Sequence, residues 1–282
     1  MSNQPQSLSE KEGHSQKGID ERCIEALLAK DRLNHLGGFI QGLIHNINGP
    51  LHNMSMLVEV LVRSQGKLEK SAKESGLSVD PALDALLQKQ GRRLEQLSQQ
   101  IKTLTDMLRS FMLLHEIERN ESEVDVNLVL TKLAETFRSD LFFKHQVTLE
   151  LRLTKNLPLV RVLGRHLLPA LVHLFKNAVT AMRQSPEKRL VLESALEEDG
   201  IRIAFRDTGC GIASEEARRR CFDLFYSHWA QLPEIPSTDE CYLGFGLFAV
   251  RRLLEPYGVR VALESVDGET TALLHIPFSC SR

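Results

Sequence analysis

Asp207-Thr208-Gly209-Cys210-Gly211-Ile212 decides how the rest of this chain is read. The β-rich run Ile201 to Arg206 leads into it, so Asp207 stands at a strand end, and Asp-Thr-Gly is the chemistry of a tight turn. A carboxylate at that place can accept the exocyclic amine of an adenine ring. Gly209 and Gly211 leave room for the ring against the backbone. Three other stretches are arranged around it. His173-Leu174-Phe175-Lys176-Asn177-Ala178 lies upstream, Gly244-Phe245-Gly246-Leu247 downstream, and His45-Asn46-Ile47-Asn48-Gly49-Pro50-Leu51 near the N-terminus. Glycines entering an apolar helix turn N–H groups and the positive dipole end toward phosphate, which is one reading of Gly244 and Gly246. An ordinary loop-to-helix junction is the other.

Working outward, residues 1–18 are rich in Ser, Gln, Lys and Glu and read as a disordered tail. Leu36, Ile40, Leu43, Ile47, Leu51, Met54, Val58 and Leu61 recur every three or four residues, as one face of a helix does. The pattern lapses between Ser71 and Asp80. Asp80-Pro81 then offers an N-cap and a first-turn proline, and a second apolar stripe runs from Leu83 to Leu114. Two such helices make an antiparallel hairpin, and pairing two hairpins covers both stripes. Residues 19–119 are therefore expected to form a homodimeric four-helix bundle. Beyond about Asn120 short strands alternate with helices. Val147 to Leu153, Arg189 to Ser194, Ile201 to Arg206, Arg260 to Ser265 and Thr271 to Ile276 read as strands. Asn127 to Phe143, Arg165 to Arg183, Ser214 to Phe222 and Gly246 to Tyr257 read as helices. The fold class is α+β: the helical hairpin, then over 120–282 an α/β sandwich with a mixed sheet packed on helices.

Composition narrows the partners. The 282 residues carry a formal net charge of -2, which gives no electrostatic case for nucleic acid or an anionic membrane. No apolar run approaches the roughly 20 residues of a bilayer span, and the polar start lacks a signal peptide's apolar stretch. These features predict a cytoplasmic protein. Cys23, Cys210, Cys221, Cys241 and Cys280 show no metal-ligand spacing and read as reduced thiols.

The four stretches, in this order and spacing, resemble a sensor histidine kinase of two-component signalling, and the resemblance runs from Leu36 to Pro277. It implies that ATP and magnesium are the cofactors and that His45 takes the γ-phosphoryl group and passes it to the receiver aspartate of a response regulator. Asp207 would accept the adenine amine beside Gly209 and Gly211. Gly244, Gly246 and Leu247 would form the phosphate corner. Asn177 would hold magnesium, with His173 one turn away contacting phosphate or water. Phe222 and Phe225 would pack the base of a lid over the nucleotide, and Thr270 would stand near adenine. The stretch between His228 and Cys241, with Pro233 and Pro236 and no lysine or arginine, reads as that flexible lid.

His45 falls off the apolar stripe between Ile44 and Ile47 and is expected to face solvent. An imidazole with an ordinary pKa of about 6.5 is largely neutral and nucleophilic near pH 7. The chain departs from the family in three places. Asn46 stands where an acidic residue usually follows the histidine, so it orients the ring without accepting a proton. Gly49 replaces a residue that positions water for dephosphorylating the regulator, and Tyr242 replaces a glycine of the phosphate loop. These departures keep two alternatives open: a nucleotide-binding scaffold that has lost transfer, and a phosphotransfer or phosphatase module for a partner regulator. An upstream sensor protein is the expected source of the signal.

Overall fold

Five strands form one mixed sheet in the order β1-β2-β3-β5-β4. The strands are β1 (Thr148–Leu153), β2 (Arg189–Leu196), β3 (Gly200–Asp207), β4 (Arg260–Val266) and β5 (Glu269–Pro277). β1 runs parallel to β2, and every other pairing is antiparallel. The computed structural model describes residues 21–31, 49–50, 52–54, 56–61, 63–64, 67, 81–119, 123–138, 140–212, 214–227, 244–266 and 268–278. Its helices are α1 (Pro81–Arg119), α2 (Val126–Phe137), α3 (Leu141–Gln146), α4 (Gly164–Ala181), α5 (Glu215–Arg220) and α6 (Gly246–Leu254). Helical residues also occur at 21–31 and between 49 and 67.

Strand alternation sorts the sheet into two unlike faces. Leu190, Leu192, Ile201, Ile203, Phe205, Leu274 and Ile276 are buried in the core against the helices. The opposite face carries Glu193, to which Arg152, Arg202 and Arg206 all turn their guanidinium groups. The expectation of helices on one face is met, and the reason is that parity. Asp207 follows Ile201, Ile203 and Phe205 in the same phase, so its carboxylate points into the helical layer.

The strands lie where the sequence pattern puts them, within one or two residues at each end. One helix differs. The run expected as a single helix from Asn127 to Phe143 breaks after Phe137, and Asp140 caps a new one by accepting from Phe143 N at 2.8 Å. The helix expected to reach Tyr257 tightens to a 3-10 turn at Glu255–Tyr257, where Pro256 removes an N–H.

α1 starts at Pro81 and reaches the C-terminal half, where its last turns pack on α2 and α4. Ser110 Oγ donates to Glu135 Oε2 at 2.8 Å, and Leu114 is buried. Farther back, Arg93 Nη1 donates to Ser64 Oγ at 3.1 Å, which sets Ser64 beside α1. A Cβ on Gly164, the first residue of α4, would overlap the backbone carbonyl oxygen of Ile117. Gly164→Ala gains helix propensity of about 1 kcal/mol, but backbone cannot yield as a side chain does. The expected net is a loss of about 1–3 kcal/mol in urea unfolding. A neutral or stabilising result would show that α1 and α4 separate without cost. Among the described residues, no helix is long and apolar enough to cross a membrane.

Candidate functional site

The turn after β3 is held from several sides. Asp207 Oδ1 accepts from Gly209 N at 2.9 Å, the Asx-turn geometry that Asp-x-Gly favours. Thr208 Oγ1 accepts from Arg189 N and donates to Glu187 O. Cys210 N donates to Ala181 O at the end of α4. Ile212 N donates to Ser265 Oγ, tying the turn to β4. A Cβ on Gly209 would stand 2.5 Å from both Ala181 Cβ and Asp207 Oδ1, so only glycine lets the turn lie this close to α4. Gly211 has φ +69, the left-handed region glycine adopts freely.

These contacts open a cleft between the helix-facing side of β3 and β5 on one wall and α4 on the other. Its cavity volume is about 110 Å³, and it opens to solvent. Asp207 lies at its inner end, 4% exposed. Burial drives its carboxyl up to about 7, the Glu269 charge adds to the rise, and the Gly209 N–H holds it back. Thr270 is directly across from Asp207 in the β3–β5 ladder and lines the same space. Asn177 contributes from the middle of α4, and Gly211, Gly244, Gly246 and Leu247 also line the cleft. α6 begins at Gly246 without a side-chain cap, which leaves its first N–H groups free of intrahelical partners.

Three expected residues sit differently. His173 is buried beside the entry to α6, its Nδ1 3.0 Å from where a Cβ on Gly246 would be. Its Nε2 meets Asp31 Oδ2 at 2.8 Å, so its partner in this structure is a carboxylate of the N-terminal helical segment rather than the cleft. The same segment reaches α6 through Glu21 and Arg252. Phe225 has φ +64 and is 57% exposed, and Phe222 lies half-buried under Arg251. Neither lines the cleft; their neighbours Cys221, Tyr226 and Ser227 do. Burial raises the Cys221 thiol to about 11, which makes it a poor nucleophile. Ala178 and Ala181 also line the cleft. Helical spacing from Leu174 and Asn177 could have found them. Nothing periodic marks Cys221, Tyr226 and Ser227. His45, Asn46, the lid expected between His228 and Cys241, and Tyr242 lie outside the described residues.

A second gathering of potential metal ligands, Glu197, Asp199 and His275, stands at the opposite end of β3. Arg202 and Arg260 already pair with its carboxylates. His275 Nδ1 faces the Arg260 guanidinium at 3.2 Å, which suits a ring bonded to Asp199 through Nε2–H more than one bound to a cation.

Residues 164–279 match the family of histidine kinase-, DNA gyrase B- and HSP90-like ATPases. Sensor protein FixL of Bradyrhizobium diazoefficiens is 27% identical over 255 residues, covering 89% of this chain and 45% of FixL. Sensor protein TdiS of Thauera aromatica is 26% identical over 248 residues, covering 84% of this chain and 39% of TdiS. Sensor protein DivL of Caulobacter vibrioides is 33% identical over 133 residues, 46% of this chain and 16% of DivL. The chain thus spans less than half the length of these curated relatives. Among solved structures, the Acinetobacter baumannii histidine kinase AdeS aligns with a TM-score of 0.44 at 18% identity, over 81% of this chain and 98% of that one.

Proposed function

We propose that this chain is a sensor histidine kinase, on the match of residues 164–279 to the ATPase family and the likeness to sensor proteins, and that it phosphorylates itself on His45 from magnesium–ATP and hands the phosphoryl group to an aspartate of a response regulator. The observation that carries the reading is Asp207: a buried carboxylate at a strand end, lining a solvent-open cleft together with Gly211, Gly244 and Gly246. In this reading Asp207 accepts the adenine amine, Thr270 flanks the base, and the uncapped start of α6 meets the phosphates. Phosphoryl transfer asks little covalent chemistry of a protein. It asks for positioning and charge neutralisation, and magnesium bound to the phosphates supplies part of the latter. Asn177 has the oxygen donor that magnesium prefers, and phosphate and water would complete the ligand set. In the same reading residues 19–119 form the dimeric phosphoacceptor bundle and 120–282 the catalytic domain, in the cytoplasm. Leu94 and Ile101 of α1, 53% and 45% exposed, support a partner helix over that stripe.

Incubating the purified protein with γ-labelled ATP and magnesium tests the proposal. The expected product is protein-bound label that is acid-labile and base-stable. Nucleotide binding without any such label would favour the scaffold alternative.

The ionisation of Asp207 gives a further expectation. An ionised carboxylate is the stronger acceptor for an amine, and ordinary aspartates are ionised far below neutrality. With the carboxyl raised to about 7 in the empty cleft, the competent fraction grows with pH. Adenosine, which has no phosphate to titrate, should bind about tenfold tighter near pH 8 than near pH 6. Asp207→Asn should flatten the profile. An affinity that falls as pH rises would mean that the neutral carboxyl is the binding form.

A further inference from the structure

Ser227 closes the described part of the chain before residue 228, and its hydroxyl is in an unusual state. The Oγ is buried and has no hydrogen-bond partner. Ser227 lines the cleft. Native proteins leave few buried polar groups unpaired, and one that lines a cleft is placed to bond to what enters it, a ligand atom or a water.

Its position is well held. Phe225 takes φ +64 and donates its N–H to Gly244 O at 2.9 Å. Tyr226 N donates to Asp223 O, and Arg220 lies over the Tyr226 ring at 4.7 Å. A Cβ on Gly244 would sit 2.5 Å from the Tyr226 carbonyl, so this backbone is seated directly on the glycine turn that enters α6. The unpaired hydroxyl and the uncapped helix start therefore stand at the same end of the cleft, away from Asp207 at the end of β3. Both are donors looking for an acceptor. Residues 228–243 contain no lysine or arginine, so a neutral donor here supplies what no cation of that stretch can.

We infer that Ser227 Oγ donates a hydrogen bond to a phosphate oxygen of the bound adenine nucleotide, beside the N-terminus of α6. The inference rests on the nucleotide reading above and adds to it a specific phosphate contact. Isothermal titration of the full chain with ADP and, separately, with adenosine distinguishes the two. Ser227→Ala should weaken ADP by at least about tenfold, the size of a hydrogen bond to a charged group, and leave adenosine unchanged. Ser227→Thr, which keeps the hydroxyl, should retain most of the ADP affinity. Thermal unfolding of the empty alanine variant should match the wild type, because the hydroxyl has no partner to lose. Unchanged ADP affinity in Ser227→Ala overturns the inference, and so does an equal loss for ADP and adenosine. If neither probe binds the wild-type protein, the nucleotide reading falls and this contact falls with it.

Discussion

His45→Ala should remove all of the acid-labile label that γ-labelled ATP leaves on the protein, while adenine nucleotide still binds. Ten histidines are present, yet only His45 carries a proline five residues on within the helical stripe of the first segment. Pro50 is helical and Gly49 is exposed in the structure, with nothing within 4 Å of where its Cβ would lie. Packing does not require glycine at that position, so a side chain that handles water could be restored there without steric cost. The reaction needs a lone pair on the imidazole, and the neutral ring already has one. Asn46 cannot draw away the other ring proton as a carboxylate does. Asn46→Asp should therefore raise the initial labelling rate by about tenfold, less than the 10²–10⁴ of a full general base because the neutral ring is partly competent unaided. Label surviving in His45→Ala would move the phosphoacceptor elsewhere. An unchanged rate in Asn46→Asp would show that proton removal is not limiting.

Asp207→Ala should weaken ATP by roughly 10- to 100-fold in titration calorimetry, since a hydrogen bond to a charged acceptor contributes about 1.5–3 kcal/mol. Stability should respond differently. The folded carboxyl titrates near 7 where the unfolded one titrates near its ordinary acid value. Between those values the native protein holds a proton that the unfolded chain has released. The contribution of Asp207 to stability therefore falls as pH climbs from about 4 to about 7 and stays low above. Alanine removes that slope, although Gly209 N–H then loses its acceptor. Thermal scans of wild type and variant should show the variant less stable near pH 5, with the gap narrowing toward pH 8. A gap that widens with pH would mean that the carboxylate is stabilised in the empty cleft, against the burial that surrounds it.

Much of the architecture could be read along the chain because its periods are local. Alternation in Ile201 to Arg206 and Thr271 to Ile276 marks strands whose apolar phase must face a core. The lapse between Ser71 and Asp80 marks the break before α1, which begins at Pro81. The split between α2 and α3 was hidden, because Phe137 to Phe143 keeps a helical apolar pattern while Asp140 chooses to cap. Asp207 and the glycines of the cleft were legible as residue types at a strand end and a helix start, whereas Asn177, in the middle of α4, and Thr270 stood out only through the resemblance to a family.

What the residues determined by themselves is the five strands and the phase that turns Asp207 toward the helices, since both follow from side-chain alternation within one element. Only the tertiary structure decided how far burial lifts the Asp207 carboxyl, that His173 meets Asp31, and that Ser227 rather than Phe225 reaches the cleft. Those outcomes depend on which distant backbones approach one another, as Gly244 does Tyr226 and Gly209 does Ala181. Desolvation and steric contact are properties of that assembled surrounding, and no stretch of chain carries them alone.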